Sequence, residues 1–319
     1  MIDLIGDVHG YADELEELLS KLGYSKKDNY YSHPERKALF VGDYIDRGPK
    51  IRETLEIVKQ MSDNGSAIAL LGNHEYNALT FHFKKSEGGH LREHSIKNIL
   101  QHYETLYQFR DTKEFPDGEK EWAKYIEWFK TLPLFYETET VRAVHACWDY
   151  KSIDYLKKHL LNNRLTDELI HQSVEKGTEL YDAVENTLKG KELSMPEGKD
   201  FEDEDGNPRT EMRYKWWEDL SKMTYDEIKM HPIAELPEGD IELSAIKDND
   251  YYRKDDKSVF FGHYWMKLEE LAIDKPTLFR DNICCLDYSV AKGGHLVAYS
   301  FADELKLDEQ KFTWVKKIV

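Results

Sequence analysis

Cysteine, basic charge and long apolar runs are all scarce in this 319-residue sequence. Three cysteines are present, two of them adjacent at Cys284 and Cys285, which excludes a disulfide framework as the basis of the fold. No apolar run approaches the length of a membrane-spanning helix. The first glycine-aspartate pair begins at Gly6, and we expect no signal peptide before it. These features predict a soluble protein of a reducing, cytoplasmic compartment.

Basic residues are the minority charge, with 44 lysines and arginines against 62 aspartates and glutamates and a net charge of −18. Such an acidic chain opposes broad binding to nucleic acid or to an anionic membrane, and we expect neither partner. Any phosphate recognition must therefore come from a local site. Apolar residues make up 40% and aromatic residues 13% of the chain, enough to bury a large core.

Short apolar runs with the length of buried strands recur along the chain. After the first run, residues 12–22 place leucines at i, i+3, i+4 and i+7 and stop at Gly23, which predicts an amphipathic helix. Pro49 suits the first turn of the next helix. Right-handed strand-helix-strand crossovers would bring the loops after parallel strands to one edge of a sheet. The predicted strands are residues 1–5, 38–41, 67–71, 141–144 and 258–261.

Polar motifs follow the first three of these runs. They are Gly6-Asp7-Val8-His9-Gly10, Gly42-Asp43-Tyr44-Ile45-Asp46-Arg47-Gly48 and Gly72-Asn73-His74-Glu75. One such motif alone is a weak signal, because a glycine-flanked aspartate is commonly a turn residue. Three in order supply what a two-metal centre needs, namely hard oxygen donors, imidazoles and a carboxylate able to bridge two ions. The donors in question are Asp7, His9, Asp43 and Asn73.

The order and spacing of the motifs resemble the calcineurin-like metallophosphoesterases, and within them the phosphoprotein phosphatase branch in its bacterial form. The resemblance is strong over residues 1–80, moderate over 140–150 and 258–300, and weak between 150 and 255. It implies an α/β fold with a central β-sandwich of mixed sheets flanked by helices. We expect a single domain over residues 1–319, with residues 150–255 inserted as a cap of helices and loops.

The resemblance also implies two divalent metal ions. Manganese is expected, with iron, zinc, cobalt or nickel as alternatives. One ion is assigned to Asp7, His9 and Asp43, and the other to Asp43, Asn73, His145 and His263. In the family, the histidine that corresponds to His145 is followed by two glycines, whereas this chain has Ala146 and Cys147 at those positions. We interpret Cys147 as a small buried residue near the site, because a thiolate matches an oxygen-rich ligand set poorly.

By the same resemblance, His74 is the general acid on the leaving oxygen and Asp46 orients its imidazole. Arg47 and Asn73 are assigned to substrate, with Arg47 as the bidentate phosphate donor. The implied reaction is hydrolysis of a phosphate monoester by in-line attack of a metal-bridging water or hydroxide. The substrate is either phosphoserine or phosphothreonine in a protein, or a small phosphorylated compound such as a dinucleoside polyphosphate or a nucleic-acid end. A noncatalytic binding protein is disfavoured, because folding alone does not require this set of polar side chains.

The inserted segment contains an acidic loop at 196–208 followed by a basic and aromatic stretch at 209–217. Trp216 and Trp217 either pack the cap onto the core or offer stacking surfaces to a substrate. Arg213, or failing that Arg209, is the candidate for a second arginine on the substrate phosphate. Residues 155–161 and 167–188 are predicted to be helical.

Two further strands are predicted near the end of the chain, at 282–287 and 295–301, joined across Gly293 and Gly294 as a tight turn. His295 is interpreted as a strand residue and not as a ligand. Four histidines after the third motif lie in a polar region and are predicted to be solvated. They are His82, His90, His94 and His102.

Overall fold

The computed structural model of the chain describes residues 1–196, 198–202, 208–233, 236–237, 239, 241 and 250–318. Residue 197 and residues 203–207 of the predicted acidic loop lie outside the described residues, so that prediction stays a prediction. Among the helices that are described, none has both the length and the apolar character needed to cross a bilayer.

Short strands and helices follow one another along the described chain. The strands are β1 (Ile2–Ile5), β2 (Ser25–Lys27), β3 (Tyr30–Ser32), β4 (Lys37–Phe40), β5 (Ala67–Ala69), β6 (Phe135–Glu137), β7 (Val141–Val144), β8 (Glu192–Ser194), β9 (Phe201–Glu202), β10 (Pro208–Arg209), β11 (Glu211–Arg213), β12 (Ser258–Phe261), β13 (Ile283–Cys285), β14 (Asp287–Tyr288), β15 (His295–Phe301) and β16 (Phe312–Lys316). The helices are α1 (Ala12–Lys21), α2 (Ile51–Asp63), α3 (Asn73–His82), α4 (Ile96–Gln108), α5 (Gly118–Phe129), α6 (Tyr150–His159), α7 (Asp167–Gln172), α8 (Glu179–Lys189) and α9 (Tyr225–Ile228).

The larger sheet has six strands in the order β14-β15-β1-β4-β5, with β16 also paired to β15. The strands β1, β4 and β5 run parallel, as the strand-helix-strand pattern predicts, and β15 runs antiparallel to β1. Helix α1 buries the predicted leucine face, including Leu15, Leu18 and Leu19. Residues of β1 and β4 are buried on both faces of the sheet. Because β1, β4 and β5 are parallel, the first three motifs emerge at the same edge of the sheet, where these strands end.

The second sheet has four strands in the order β13-β12-β7-β6, of which β13, β12 and β7 are parallel. It packs against the first sheet through aromatic side chains. The ring centroid of Phe260 on β12 lies 5.1 Å from that of Tyr299 and 5.7 Å from that of Phe301, both on β15. The predicted α/β sandwich of mixed sheets flanked by helices is confirmed.

The predicted strand at 282–287 is wrong in its continuity, because the chain changes sheets at Leu286. Residues Ile283–Cys285 pair with β12, whereas Asp287–Tyr288 pair with β15. The Leu286 N–H still donates to Phe261 O, at 2.7 Å, and the sheet change follows immediately. A short 3-10 helix, Val290–Lys292, then precedes Gly293, whose φ of +89° makes the turn into β15. An apolar run bounded by turn residues predicts extended chain but not which neighbour that chain pairs with.

The predicted helix at 167–188 is likewise interrupted, between α7 and α8. Gly177 has a φ of +85°, which a helix cannot accommodate, and Thr178 then caps α8 by accepting from the Tyr181 N–H at 3.2 Å. Pro49 lies outside α2, which begins at Ile51. The predicted helix at 155–161 is observed at Tyr150–His159.

Trp216 and Trp217 are core residues, with only 2% and 1% of their surface exposed. Their rings lie 5.2 Å and 5.5 Å from that of Phe261 at the end of β12. The suggestion that they stack on a substrate is therefore wrong, and the packing alternative describes them. These contacts join the segment 150–255 to the second sheet, while its status as a cap insertion in a single domain stays a prediction.

Trp217→Ala should lower the free energy of unfolding by about 3–5 kcal/mol, the usual cost of deleting a buried aromatic ring. The indole of Trp217 also stacks on Phe279 at 4.8 Å, so the cavity would open on two sides. Denaturant unfolding measures the loss, and Tyr103→Ala, at a residue 51% exposed, is the matched control. Equal small losses in both variants would contradict the burial of Trp217.

Candidate active site

The predicted ligands all lie in loops at the carboxyl ends of strands. Asp7 and His9 follow β1, Asp43 follows β4, Asn73 begins α3 after β5, His145 follows β7 and His263 follows β12. The two sheets contribute from opposite sides, so the loops converge where the sandwich opens. Open α/β sheets place ligand sites at this end of their strands.

Glycines make this convergence sterically possible. A Cβ on Gly262 would lie 1.9 Å from the Asp7 carboxylate, and a Cβ on Gly72 would lie 2.3 Å from the Asp43 carboxylate. Any larger residue at either position would displace a carboxylate from the centre. Glu75, for which no role was predicted, also organises the loops. Its carboxylate accepts the backbone N–H groups of Asp43, Tyr44 and Gly72 at 2.9, 2.8 and 3.1 Å.

Asp43 lies at the centre of the cluster. Its Oδ2 atom is 3.6 Å from His9 Nε2, 3.9 Å from His74 Nε2 and 3.4 Å from His145 Nε2. Two groups of side chains with metal-binding potential share this carboxylate. One comprises His9, Asp43 and His74, and the other comprises Asp43, His145 and His263. The carboxylate of Asp43 is the side chain common to both groups.

The first group differs from the predicted ligand set, since it contains His74 and lacks Asp7. Asp7 is nevertheless buried beside the cluster, where its Oδ2 accepts the His263 N–H at 3.0 Å. Asn73 also reaches both histidines of the second group, with its Oδ1 atom 2.9 Å from His145 Nε2 and 2.7 Å from His263 Nδ1. All six predicted ligands are thus brought together.

Four buried polar atoms of the cluster have no hydrogen-bond partner among the described residues. A buried polar atom without a hydrogen bond costs about 1–3 kcal/mol, and here several such atoms face one another. The atoms in question are Asp7 Oδ1, His9 Nε2, Asp43 Oδ2 and His263 Nε2. Burial, with the nearby charges of Asp287 and Asp43, also raises the pKa of Asp7. A bound cation would stabilise the charged carboxylate. These residues therefore fit divalent metal ions.

Backbone carbonyls fix two of the imidazoles in the orientation that coordination requires. His9 Nδ1 donates to Ile45 O at 2.9 Å, and His145 Nδ1 donates to Val41 O at 2.9 Å. In the neutral ring the Nε2 lone pair then points into the cluster, as is usual for metal-binding histidines. Burial, with the charge of His74, lowers the pKa of His9 to about 4, which keeps its ring neutral. Burial would raise the pKa of Asp43, but the surrounding imidazoles hold it well below its usual value.

His74 and Asp46 form a hydrogen-bonded pair at the edge of the cluster. His74 Nδ1 donates to Asp46 Oδ2 at 2.7 Å, so the Nε2 atom faces the centre. Burial opposes a charged ring, but Asp43 and Asp46 together raise the pKa of His74 above its ordinary value. Burial likewise opposes a charged Asp46, yet His102 and His74 hold the pKa of Asp46 well below its usual range. The pair therefore favours an imidazolium next to a carboxylate.

His102 contradicts the prediction of a solvated histidine, because it is 4% exposed and bound to Asp46. Its Nδ1 donates to Asp46 Oδ1 at 2.6 Å, and the Thr105 hydroxyl donates to the same oxygen at 2.6 Å. His82 is also partly buried and accepts from Trp122 Nε1 at 2.8 Å, whereas His94 is exposed. One sequence signal links His102 to Thr105. Residues three apart on a helix lie on the same face, so these two side chains can reach the same partner.

A cleft of about 290 Å³ opens beside His74 and His263. Five basic and two acidic side chains line it, together with Trp265 and Phe201. The basic residues are Arg47, Lys97, Arg209, Arg213 and Lys292, and the acidic ones are Glu202 and Glu211. Trp265, whose φ is +49°, carries the Arg47 guanidinium 5.0 Å from its ring centroid and the Lys292 ammonium 3.9 Å from it. Trp265 was not singled out in the sequence.

The two candidate arginines of the insertion both lie in this cleft. Arg209 donates to Glu192 Oε1 at 3.0 Å, whereas Arg213 Nε is 3.7 Å from the same oxygen and has no hydrogen bond among the described residues. Arg213 and His263 line the same cleft, and burial together with the charge of Arg213 holds the pKa of His263 well below its ordinary value. Cys147 is fully buried, as predicted, and burial raises the pKa of its thiol.

Comparisons with known proteins agree with the geometry. The family model for calcineurin-like phosphoesterase matches residues 1–264. An asymmetrical bis(5'-nucleosyl)-tetraphosphatase, PrpE, from Oceanobacillus iheyensis is 35% identical over 146 residues, 46% of this chain and 54% of that protein. A symmetrical bis(5'-nucleosyl)-tetraphosphatase from Neisseria meningitidis is 31% identical over 142 residues, 44% of this chain and 41% of that protein. The chain thus spans about half the length of the curated relatives it matches.

Solved structures with a similar course of the chain include a cold-active protein-tyrosine phosphatase of a Shewanella species, with a TM-score of 0.47, 19% identity, and coverage of 93% of this chain and 74% of that one. A protein serine/threonine phosphatase from Saccharomyces cerevisiae has a TM-score of 0.45 and 13% identity, with coverage of 100% and 79%. The resemblance drawn from the three motifs is confirmed by the family model, which extends over most of the 319 residues, and the protein belongs to the calcineurin-like phosphoesterase family.

Proposed function

We propose that this protein is a two-metal phosphoesterase that hydrolyses dinucleoside polyphosphates. The observation that carries the proposal is the cationic cleft. Among the described residues, five lysines and arginines and two glutamates line one cleft beside the metal cluster, in a chain with a net charge of −18. That concentration of positive charge suits a substrate with several adjacent phosphates rather than a single phosphate ester.

The metal ions would be held by Asp7, His9 and Asp43 on one side and by Asp43, Asn73, His145 and His263 on the other. When bound, two divalent cations supply Lewis-acid activation of a water nucleophile and neutralise charge on the phosphate. The donors are oxygen and nitrogen atoms, a set that suits manganese, and we propose manganese as the ion that supports activity.

The remaining steps belong to the chain's own side chains. Arg47 is exposed at the cleft with its guanidinium against Trp265, and it would bind phosphate oxygens in a bidentate manner. His74 would transfer the proton of its Nε2 atom to the leaving oxygen, while Asp46 stabilises the charged ring through Nδ1. Trp265 and Phe201 provide flat apolar surfaces in the same cleft, which suits the bases of a nucleotide substrate.

A substrate panel with the manganese-loaded protein tests this function. Diadenosine tetraphosphate should be hydrolysed with a kcat/KM at least roughly tenfold above those of p-nitrophenyl phosphate and a phosphoserine peptide, because the extra phosphates contact the additional cations. Asp43→Asn is the inactive control. A preference for the phosphopeptide would instead support the alternative of a serine/threonine protein phosphatase, and the absence of turnover on every phosphate ester and anhydride would refute the enzyme.

Arg213→Ala should raise KM or lower kcat for phosphorylated substrates by roughly 10- to 100-fold, the scale of one lost charge-assisted contact of about 1.5–3 kcal/mol. Metal content should be unchanged, because Arg213 offers no metal ligand. Arg209→Ala is the comparison variant and should cause a smaller loss, since Arg209 is already bound to Glu192. Kinetics of Arg213→Ala that equal those of the parent, with a large loss in Arg209→Ala, would transfer the role to Arg209.

We also infer a cytoplasmic location. All three cysteines are free and buried, which fits a reducing compartment. Cell fractionation followed by immunodetection tests the inference, and recovery of the protein in a secreted or envelope fraction would contradict it.

A further inference from the structure

The side chain of Asp46 has two neighbours besides His74, and no motif accounts for them. Asp46 is buried, with a φ of +81°, and lies in the loop after β4. One carboxylate oxygen accepts from His74, while the other accepts from His102 and Thr105, both on α4. Asp46 therefore joins the loop that carries the second motif to a helix more than 50 residues further along the chain.

The positions of the protons in the hydrogen bonds around Asp46 follow from the donors and acceptors present. An ionised carboxylate can only accept, so both imidazoles must carry a proton on Nδ1. The Thr105 hydroxyl donates its one proton to Asp46 Oδ1 and accepts from the Asp46 N–H at 3.1 Å. The carboxylate thus has a donor on each side and one orientation in which all bonds form. A buried carboxylate held in this way cannot rotate without losing hydrogen bonds.

The other ring contacts of His102 are with aromatic side chains and one histidine. The centroid of its ring lies 5.3 Å from that of Phe81, 5.6 Å from that of Trp122 and 5.8 Å from that of His82. Its Nε2 atom is buried without a hydrogen-bond partner among the described residues. If the ring served only for packing, phenylalanine would fill the same space without the cost of an unsatisfied nitrogen. The group that histidine has and phenylalanine lacks is the Nδ1–H, which donates to Asp46.

We propose that His102, supported by Thr105, is a positioning residue that holds Asp46 in the rotamer from which it orients the ring of His74. This inference rests on the proposed function, in which His74 donates a proton to the leaving oxygen. Among the described residues, His102 has no hydrogen bond to the cleft-facing nitrogen of His74 or to any of the six predicted metal ligands. Its effect therefore acts through its hydrogen bond to Asp46. Removal of the Nδ1–H should therefore lower kcat and leave both substrate affinity and metal content in place.

Two substitutions of His102 separate the hydrogen bond from the packing. His102→Phe keeps an aromatic ring and removes the donor, whereas His102→Asn keeps an N–H group near the position of Nδ1 and loses ring volume. We expect His102→Phe to lower kcat by roughly 10- to 100-fold, the scale of lost outer-shell partners, and His102→Asn to recover most of that loss. Thermal stability should follow the opposite order, with His102→Asn the less stable protein.

The measurement is steady-state kinetics of the manganese-loaded variants on phenyl phosphate and on p-nitrophenyl phosphate, with metal analysis of each protein. The loss in His102→Phe should be larger for phenyl phosphate, the poorer leaving group, with KM unchanged. Thr105→Val, which removes the hydroxyl at nearly constant volume, should show a smaller loss of the same kind. In a His74→Asn background, His102→Phe should cause no further loss, because the two residues act as one unit.

The outcomes distinguish the inference from the proposed function. If His102→Phe keeps the parent kcat, loses equally on both substrates, or exceeds His102→Asn in activity, His102 is a packing residue and the inference is overturned. If His74→Asn itself shows no dependence on the leaving group, the general-acid role fails first. A full additional loss from His102→Phe in the His74→Asn background would also overturn the inference, because it would place His102 outside the pair.

Discussion

Removal of divalent metal should reduce hydrolysis by about a thousandfold or more, the effect of losing about 4 kcal/mol of transition-state stabilisation. Four buried atoms of the cluster have no hydrogen-bond partner among the described residues, and burial, with the nearby charges of Asp287 and Asp43, raises the pKa of Asp7. Without cations, neither the nucleophile nor the phosphate would be polarised. Activity on p-nitrophenyl phosphate before and after chelation measures the loss, and added Mn²⁺ should restore it.

Binding can be followed independently of turnover. Metal analysis should give two ions per chain, and Mn²⁺ should raise the melting temperature of the chelated protein, since ligands that bind only the folded state stabilise it. Asp43→Asn should lose metal and the thermal shift together, because the Asp43 carboxylate belongs to both groups with metal-binding potential. Full turnover by protein shown to be free of metal would refute the two-metal proposal.

His74→Asn should lower kcat by roughly 10²–10⁴-fold, the usual scale for a positioned acid or base, while both metals stay bound. Asparagine can keep a hydrogen bond to Asp46 but cannot deliver a proton from the position of Nε2. The loss should shrink for substrates with good leaving groups, which depart without protonation. Kinetics on phenyl phosphate and p-nitrophenyl phosphate, with metal analysis, give the answer.

The same variant decides between two roles that the geometry allows for His74. Its Nε2 atom is 3.9 Å from Asp43 Oδ2, close enough to belong to the first metal-binding group. If His74 were a ligand, metal content would fall in parallel with activity, and the general-acid assignment would be wrong. His94→Asn, at an exposed histidine of the same region, is the matched control and should behave as the parent.

The sequence by itself determined the parallel strands, the loops that follow them and the chemistry those loops carry. Strand and helix positions near Asp7, Asp43 and Asn73 could be predicted because apolar runs, leucine spacing and polar motifs are local signals. Parallel strands share one end, so the convergence of the motif loops followed from the order of the elements. The family could also be predicted from the sequence, because its three motifs are short, local and intact.

Only the tertiary structure decided which distant side chains meet. The bonds of Asp46 to His102 and Thr105, the split of the predicted strand at Leu286, and the burial of Trp216 all depend on how sheets and helices pack. A histidine on a polar helix has the same local signature whether it faces water or a carboxylate, because burial is a property of the neighbour and not of the sequence nearby. The short polar motifs were therefore enough to predict the residues at the centre of this site. The residues that hold Asp46 in place could be identified only from the packing of the folded chain.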